Sequence, residues 1–218
     1  MKSSKAVFAA AAVVVFVSGV ARAAHVDMND PKRALGREDD VRIDAQLATD
    51  NISSNSPISV TYQIENLTSH SVGIADRVSD ISYDTESQTL TLSIGSEVPA
   101  NGTMPHLTIV NPGEKRVLTS AAVPHVNVPS MRTPFTVVPR YVQVKVNILR
   151  DIAPFEKLIA QQVEAAVSTR AQTLSDAQFE QWIESSDAIF LNSIPVRWNA
   201  GRPSAVEASY AAPVGGTF

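Results

Sequence analysis

The sequence predicts a mainly β protein: an antiparallel β-sandwich followed by a C-terminal segment of two α-helices. The stretch 57–66 (PISVTYQIEN) alternates apolar and polar residues, which is typical of a strand with one buried face. The same alternation recurs at 41–48 and 141–149. After Asp151 the apolar residues change to helical spacing. These patterns predict a sheet-based core with helices added at its C-terminal end.

A leader segment of the secretory type is predicted at 1–23. Two lysines precede an apolar run at 6–20, and 21–23 (ARA) has the small residues that signal peptidase selects. The apolar run is short for a membrane span. We therefore expect cleavage before Ala24 and a mature protein, periplasmic or secreted, that has no membrane span.

Net charge and cysteine content exclude several classes of function. The chain has a net charge of −4, which becomes more negative once the basic residues of the leader are removed. Nucleic acids and anionic lipids favour basic surfaces, so neither is an expected partner. The sequence holds no cysteine, which excludes disulfides, thiol catalysis and thiolate metal sites.

Four segments are expected after the leader. A polar, acidic stretch predicts a flexible arm at 24–40. The β-sandwich is predicted at 41–150, and a helical extension packed on it at 151–198. A stretch rich in Gly, Ala, Pro and Ser predicts a disordered tail at 199–218.

Turn-forming residues divide the predicted sandwich into short strands. The clearest hairpin joins two strands through the turn formers of 84–88. Seven of the 13 prolines lie between Pro99 and Pro139. Because proline cannot donate to a strand ladder, the strands of this interval are predicted to be edge strands. The predicted strands are 41–48, 57–66, 71–75, 81–83, 89–94, 107–110, 117–123 and 141–149.

Two helices are predicted after the last strand. Pro154 is a residue type favoured in the first turn of a helix. Ser175 and Gln178 have the spacing of a capping box, which predicts that the second helix begins there. The apolar residues of the two helices, among them Phe155 and Trp182, form stripes that we expect to cover a sheet or a partner.

These strands resemble a bacterial immunoglobulin-like module. The resemblance rests on the alternating strand that ends at Asn66, the turn 111–113 (NPG) before a strand, and the terminal strand 142–148. It covers 41–150 and leaves the helices unaccounted for. Modules of this kind serve adhesion, chaperoning and inhibition or accompany enzymes, so the resemblance implies a fold and not one function.

No motif of the nucleophile-elbow, P-loop, dinucleotide-binding or zinc-protease type is present. We therefore expect a non-enzymatic protein without a cofactor, which acts through contact with another envelope or extracellular protein. An alternative is a chaperone or peptidase inhibitor that pairs an exposed edge strand with its client. Three Asn-x-Ser/Thr sequences, at Asn51, Asn66 and Asn101, are interpreted as chance because these residue types are common at turns.

The interaction surface is predicted in the proline-rich interval from Pro99 to Pro139. Long ordered loops in compact domains are usually functional, and each proline lowers the entropy that a segment loses on binding. The interval also contains residue types that are favoured at interfaces. The predicted binding residues are His106, His125, Met131, Arg132 and Phe135.

Histidine supports one enzyme alternative. Copper-dependent oxidative polysaccharide enzymes are exported β-sandwiches that hold copper through a mature N-terminal histidine and a second histidine. The chain resembles them in having His25 next to the expected cleavage site, and the second ligand would be His106 or His125. The expected cut leaves Ala24 ahead of His25, and no acidic residue is adjacent in sequence to either candidate second ligand.

Overall fold

A computed structural model describes residues 29–54, 56–124, 137–164 and 172–199. The predicted signal peptide lies outside the described residues, as does the predicted tail except for Asn199. The described chain is mainly β and includes two helices. Its strands are β1 (Arg33–Glu38), β2 (Val41–Leu47), β3 (Asn51–Ile52), β4 (Ile58–Asn66), β5 (Val72–Ile74), β6 (Ser79–Asp84), β7 (Thr89–Ile94), β8 (Thr108–Val110), β9 (Lys115–Ala122), β10 (Tyr141–Leu149), β11 (Ser186–Phe190), β12 (Ile194–Pro195) and β13 (Arg197–Trp198). Its helices are α1 (Glu156–Glu164) and α2 (Asp176–Ser185), with 3-10 turns at Ala100–Gly102 and Ala153–Phe155.

Four strands form the first sheet, in the order β1-β2-β4-β9. The three pairings in this sheet are antiparallel. In β4 the even-numbered residues from Ile58 to Asn66 are buried and the odd-numbered ones are half-buried, which confirms the facing predicted from the alternation. β9 lies at the edge of the sheet, as predicted for a strand of the proline-rich interval.

The second sheet is organised around β10. Lys145 is registered with both Ser93 and Phe190, so β7 and β11 lie on opposite sides of β10. The order along the sheet is β6-β7-β10-β5-β8, with β11 and β12 also paired to β10. The hairpin predicted around 84–88 is confirmed as β6 and β7, and β8 is a second edge strand. The prediction of an antiparallel sandwich is wrong for the pair β7 and β10, which are parallel. β13 and β3 form a further, two-stranded parallel sheet.

The inner faces of the two larger sheets contribute to one apolar core. Its largest members that are almost completely buried are Tyr62, Ile43, Leu47, Ile64, Ile74, Leu90, Leu92, Ile94, Ile148 and Ile189. At the β6 and β9 edges, the hydroxyl groups of Ser79 and Ser120 are hydrogen-bonded to each other across the two sheets. Burial of this many branched side chains supplies the main stabilisation in a chain without disulfides.

The helices contribute to a second, smaller apolar cluster. Phe155 and Trp182 pack edge to face, with ring centroids 5.4 Å apart and an interplanar angle of 72°. They meet Met104, Leu107 and Leu149 of the sheet region. The capping box predicted for the second helix is confirmed: the Ser175 hydroxyl accepts from the Gln178 amide, and the Gln178 side chain accepts from the Ser175 amide.

The prediction of a flexible arm at 24–40 is wrong for its second half. Arg33–Glu38 is β1, paired over its whole length with β2. The buried positions of β1 are Ala34 and Gly36, and Gly36 faces a close neighbour: a Cβ added there would lie 3.0 Å from the Phe190 carbonyl oxygen and 3.1 Å from Ile189. The inward residues of β1 are therefore small, and no hydrophobic alternation marks it.

Candidate functional site

Asn66 fixes the loop that leads into β9. Its side chain is buried, and its amide nitrogen donates to the carbonyl oxygens of His70 (2.8 Å) and Val110 (2.9 Å). Its side-chain oxygen accepts from the backbone amide (3.0 Å) and the hydroxyl (2.7 Å) of Thr68. All of the hydrogen-bonding capacity of the Asn66 side chain is therefore used inside the fold. These bonds hold the start of β5 and the end of β8 against the end of β4.

The turn Asn111–Glu114 then starts β9. The Glu114 carboxylate accepts from the Asn111 backbone amide at 2.8 Å, and Gly113 adopts a positive φ of 72° and donates to the Asn66 carbonyl oxygen at 2.7 Å. The Asn111 backbone hydrogen bond, together with the charge of Arg116, lowers the pKa of Glu114. Glu114 is therefore charged at neutral pH and keeps the turn closed.

Hydrogen bonds at the ends of β4 show which backbone groups of β9 face outward. The Asn66 amide donates to the Glu114 carbonyl oxygen, so even-numbered residues of β4 bond to even-numbered residues of β9. On the other side of β4, the Ala48 amide donates to the Ser59 carbonyl oxygen, so the odd-numbered residues of β4 bond to β2. It follows that the N–H and C=O groups of the odd-numbered residues of β9 point away from the sheet. These residues are Lys115, Val117, Thr119 and Ala121.

This open side of Lys115–Ala122, which we name the β9 edge, pairs with no other strand in the described part of the chain. Of the other edge strands, β1 and β8 are each contacted by another part of the described chain, and β6 is a further edge strand. The Leu35 carbonyl oxygen of β1 accepts from Asn192 at 3.2 Å. Ahead of β8, the Gln162 side chain of α1 accepts from the Leu107 amide (3.2 Å) and donates to the Pro105 carbonyl oxygen (2.9 Å).

The β9 edge also lacks the features that usually protect an edge strand. Residues 117–122 (VLTSAA) contain neither a charge nor a proline, although charged residues, prolines and bulges are the common means of preventing strand addition. Both charged residues at the start of β9 are engaged: Lys115 with Glu65 and Arg116 with Glu114, each at 2.9 Å. The central part of the edge therefore has no charged residue or proline that would oppose pairing with an extended peptide.

Half-buried apolar side chains line the space between the β9 edge and the neighbouring strand β6. They are Leu118 and Ala122 of β9 and Tyr83 of β6, each packed against the rim of the main core. The Tyr83 hydroxyl donates to the Val137 carbonyl oxygen at 3.0 Å, and burial, with a smaller effect of Asp84, raises the pKa of this phenol. A strand added to the β9 edge would place alternate side chains on this apolar rim.

His106 is the one predicted binding residue within the described ranges, and it faces Asp76. The distance from His106 Nδ1 to Asp76 Oδ1 is 3.9 Å. The β5–β8 register pairs Ile74 with Thr108, and its continuation by two residues brings Asp76 opposite His106. The acidic neighbour that the sequence lacks next to His106 is thus supplied by strand pairing.

Tyr62 lies close enough to Asp76 for its titration to respond to that carboxylate. Burial and, to a lesser extent, the Asp76 charge raise the pKa of the Tyr62 phenol far above its ordinary value. Neither Tyr62 Oη nor Asp76 Oδ1 has a hydrogen-bond partner among the described residues.

The remaining predicted site residues, His125, Met131, Arg132 and Phe135, lie outside the described residues, as does His25. The predicted copper site therefore stays a prediction. Within the described ranges, no three His, Asp or Glu side chains are grouped so that they could hold a metal ion.

A cleft of about 480 Å³ lies between the β4–β5 connection and the start of α1. Its wall combines His70 and Arg150 with the acidic residues Asp151 and Glu156. Arg150 is already engaged, because its Nε donates to Asp187 at 2.7 Å. The charges of this cleft are mixed and favour no single class of ligand.

Comparison of the chain with protein-family models, with curated proteins and with solved structures finds no match. Of the helices that the structure describes, neither has the length and apolar character required to cross a bilayer.

Proposed function

We propose that this chain is an exported, non-enzymatic protein that acts by protein–protein contact, and that an extended segment of its partner adds to the β9 edge. The observation that carries the proposal is the unprotected edge itself. Outward backbone groups on Lys115, Val117, Thr119 and Ala121 meet no strand of the described chain, whereas β1 and β8 are each contacted by another part of that chain. An edge left open over six uncharged residues is a site for strand addition.

The fold that we propose for this contact is an immunoglobulin-like sandwich. In its support, the two larger sheets share one core, and the chain passes from β8 in one sheet to β9 in the other. Sandwiches of this class commonly present edge strands to partner proteins, and the fold by itself does not fix the partner.

The expected partner is another envelope or extracellular protein, since the leader at 1–23 directs export. Intact-mass measurement of the exported protein tests this step. We expect a first residue of Ala24. A chain that retains Met1 would refute processing, and a first residue of His25 would favour the copper alternative.

The contact is tested by capturing partners from the protein's own envelope extract with variants of Thr119. Thr119→Pro removes one outward N–H and leaves the backbone hydrogen bonds to β4 intact, because the Thr119 amide points away from the sheet; like the alanine control, it also removes the Thr119 hydroxyl that contacts the Thr61 hydroxyl at 3.5 Å. Thr119→Ala is the matched control, since it shortens the side chain and keeps the amide. We expect the proline variant to melt normally and to lose the partner, with affinity reduced about tenfold or more, while the alanine variant keeps it.

A second pair of substitutions locates any contribution from the rest of the interval. Arg132→Ala combined with Phe135→Ala changes two predicted binding residues without altering the β9 edge. Loss of the captured partner in this variant and not in Thr119→Pro would move the site to the segment that contains these residues. Loss in both would indicate one continuous surface.

A further inference from the structure

The 3-10 turn Ala100–Gly102 contains an unusual pair of residues. Asn101 is exposed and has left-handed backbone angles, φ 54° and ψ 30°. Gly102 also has a positive φ, 63°, and no atom lies within 4 Å of the position that a Cβ would take there. Asn101-Gly102 is the one Asn-Gly pair in the sequence.

An Asn-Gly pair can undergo an intramolecular reaction between the asparagine side chain and the backbone nitrogen of the glycine. The backbone nitrogen of the following residue can approach the side-chain carbonyl carbon of asparagine, and a following Cβ hinders this approach, so glycine permits it most readily. Here the Gly102 amide is held by a single long contact to the Pro99 carbonyl oxygen, at 3.4 Å, near the limit at which a hydrogen bond still counts. Asn66, in contrast, is followed by Leu67 and has its amide nitrogen bonded to two carbonyl oxygens.

We propose that Asn101 is a site of spontaneous modification, in which it converts through a succinimide to isoaspartate and thereby loosens the attachment of the C-terminal segment. In the first step the Gly102 nitrogen forms a bond to Asn101 Cγ, the C–N bond of the side-chain amide breaks, and ammonia leaves with the proton given up by Gly102. Water then adds to one of the two imide carbonyls. Opening on the main-chain side yields isoaspartate, and opening on the side-chain side yields aspartate.

The consequence follows from what lies next to Gly102. Its carbonyl oxygen accepts from the Leu174 amide at 2.8 Å, and two residues further the Met104 amide donates to the Gln172 carbonyl oxygen at 2.8 Å. Thr103 and Thr173 form an antiparallel bridge between these two bonds. This short ladder attaches the segment that leads into α2.

Isoaspartate disturbs that ladder because it routes the main chain through its Cβ. The chain then gains one carbon–carbon bond, about 1.5 Å, immediately before Gly102. Backbone hydrogen bonds tolerate changes of only a few tenths of an ångström. The Gly102–Leu174 bond and the Thr103–Thr173 bridge are therefore expected to weaken together, whereas conversion to normal aspartate adds a charge and leaves the backbone length unchanged.

The test uses the purified protein, aged in mildly alkaline buffer and then mapped by peptide mass spectrometry and by enzymatic detection of isoaspartate. We expect the mass change of amide to acid in the peptide that contains Asn101. The change should be absent in Asn101→Gln, because the longer side chain would have to close a six-membered ring instead of the five-membered succinimide. Hydrogen exchange at Leu174 should be about tenfold faster in the isoaspartate fraction.

Freshly purified Asn101→Asp is the control for charge, and its Leu174 exchange should equal that of the fresh protein. Absence of isoaspartate at Asn101 after ageing would overturn the proposed modification. Isoaspartate with unchanged exchange at Leu174, or equal acceleration in Asn101→Asp, would overturn the proposed effect on the attachment.

Discussion

The indole nitrogen of Trp182, in α2, donates a hydrogen bond to the backbone carbonyl oxygen of Ser96 at 3.1 Å. Ser96 follows β7 by two residues, so this bond joins the C-terminal helix to the end of a strand in the second sheet. The Trp182 side chain is only 1% exposed and contacts Phe155 edge to face. The helix is therefore attached by a directional bond as well as by apolar packing.

Trp182→Phe is predicted to destabilise the protein by about 1–3 kcal/mol, because it removes this bond and leaves a small cavity. Ile183→Ala, one residue along and 45% exposed, is predicted to cost about 0.5 kcal/mol or less. Both are measured by chemical denaturation, which should show one transition for the sheets and helices together. Equal stabilities of the two variants would contradict the docking of α2.

Two adjacent residues of β4 test the facing of the central strand. Val60 is completely buried and Thr61 lies on the outer face. Val60→Asp is predicted to prevent folding, because a carboxylate without a partner in the core costs several kcal/mol. Thr61→Asp is predicted to cost about 1 kcal/mol or less. Thermal melting of the two variants decides, and equal melting temperatures would contradict the assigned facing.

Tyr62→Phe is predicted to leave the free energy of unfolding at neutral pH unchanged or higher by about 1 kcal/mol, since the hydroxyl removed has no hydrogen-bond partner among the described residues. Burial raises the pKa of Tyr62, so the folded state holds the phenolic proton more tightly than the unfolded state. Its contribution is complete below the unfolded pKa of about 10 and is lost as the pH rises above it. The variant should therefore lose less stability at alkaline pH.

Tyr83→Phe is the comparison for the neutral-pH measurement, because burial raises the pKa of Tyr83 as well. It removes a hydroxyl that donates to the Val137 carbonyl oxygen, so it is expected to cost about 1 kcal/mol at neutral pH. Denaturant titrations at neutral pH separate the two tyrosines, and titrations above about pH 10 measure the alkaline effect of Tyr62→Phe. A substantial neutral-pH loss in Tyr62→Phe would show that its hydroxyl has a stabilising contact.

Two glycines with positive φ separate backbone strain from steric overlap. At Gly95, φ is 84° and a Cβ would lie 2.7 Å from the Asn147 carbonyl oxygen; at Gly113, φ is 72° and the space is open. Gly113→Ala is predicted to cost about 1 kcal/mol for the left-handed conformation. Gly95→Ala should cost at least about 1 kcal/mol more, because strand β10 must also move. Equal losses in denaturant titrations would contradict the close approach.

The strands that the sequence predicts correctly have large side chains on one face. β4 and β10 alternate branched apolar residues with polar ones, and burial alternates accordingly along all of β4 and along β10 as far as Val146, after which Asn147 is buried as well. β1 was missed because Gly36 must be small to face Phe190 and Ile189. The parallel pairing of β7 with β10 was also missed, since period-two patterns carry no information about the direction of a neighbour.

For the proposed site, the sequence predicts edge strands in the proline-rich interval but not their geometry. The prolines indicate that the strands of the interval lie at edges, which is confirmed for β8 and β9. The backbone hydrogen bond between Asn66 and Glu114 determines which N–H and C=O groups of β9 face outward. The sequence does not predict this bond, because it depends on the register of β4 and β9. The proximity of Asp76 to His106 likewise follows from the β5–β8 register. Strands of three residues are too short for the sequence to predict that they pair with each other.

The central position of β10 has a consequence for the order in which the protein folds. A chain that emerges N-terminus first has made every strand of the first sheet once Ala122 is available. β7 and β5 cannot be joined into one sheet until β10 (Tyr141–Leu149), which lies between them, has been synthesised. β10 in turn lacks its neighbour on the other side until β11 (Ser186–Phe190) has been synthesised. During this interval the second sheet is a hairpin and two short strands with open edges, a state prone to aggregation. Slow emergence of the last third of the chain would prolong that exposure.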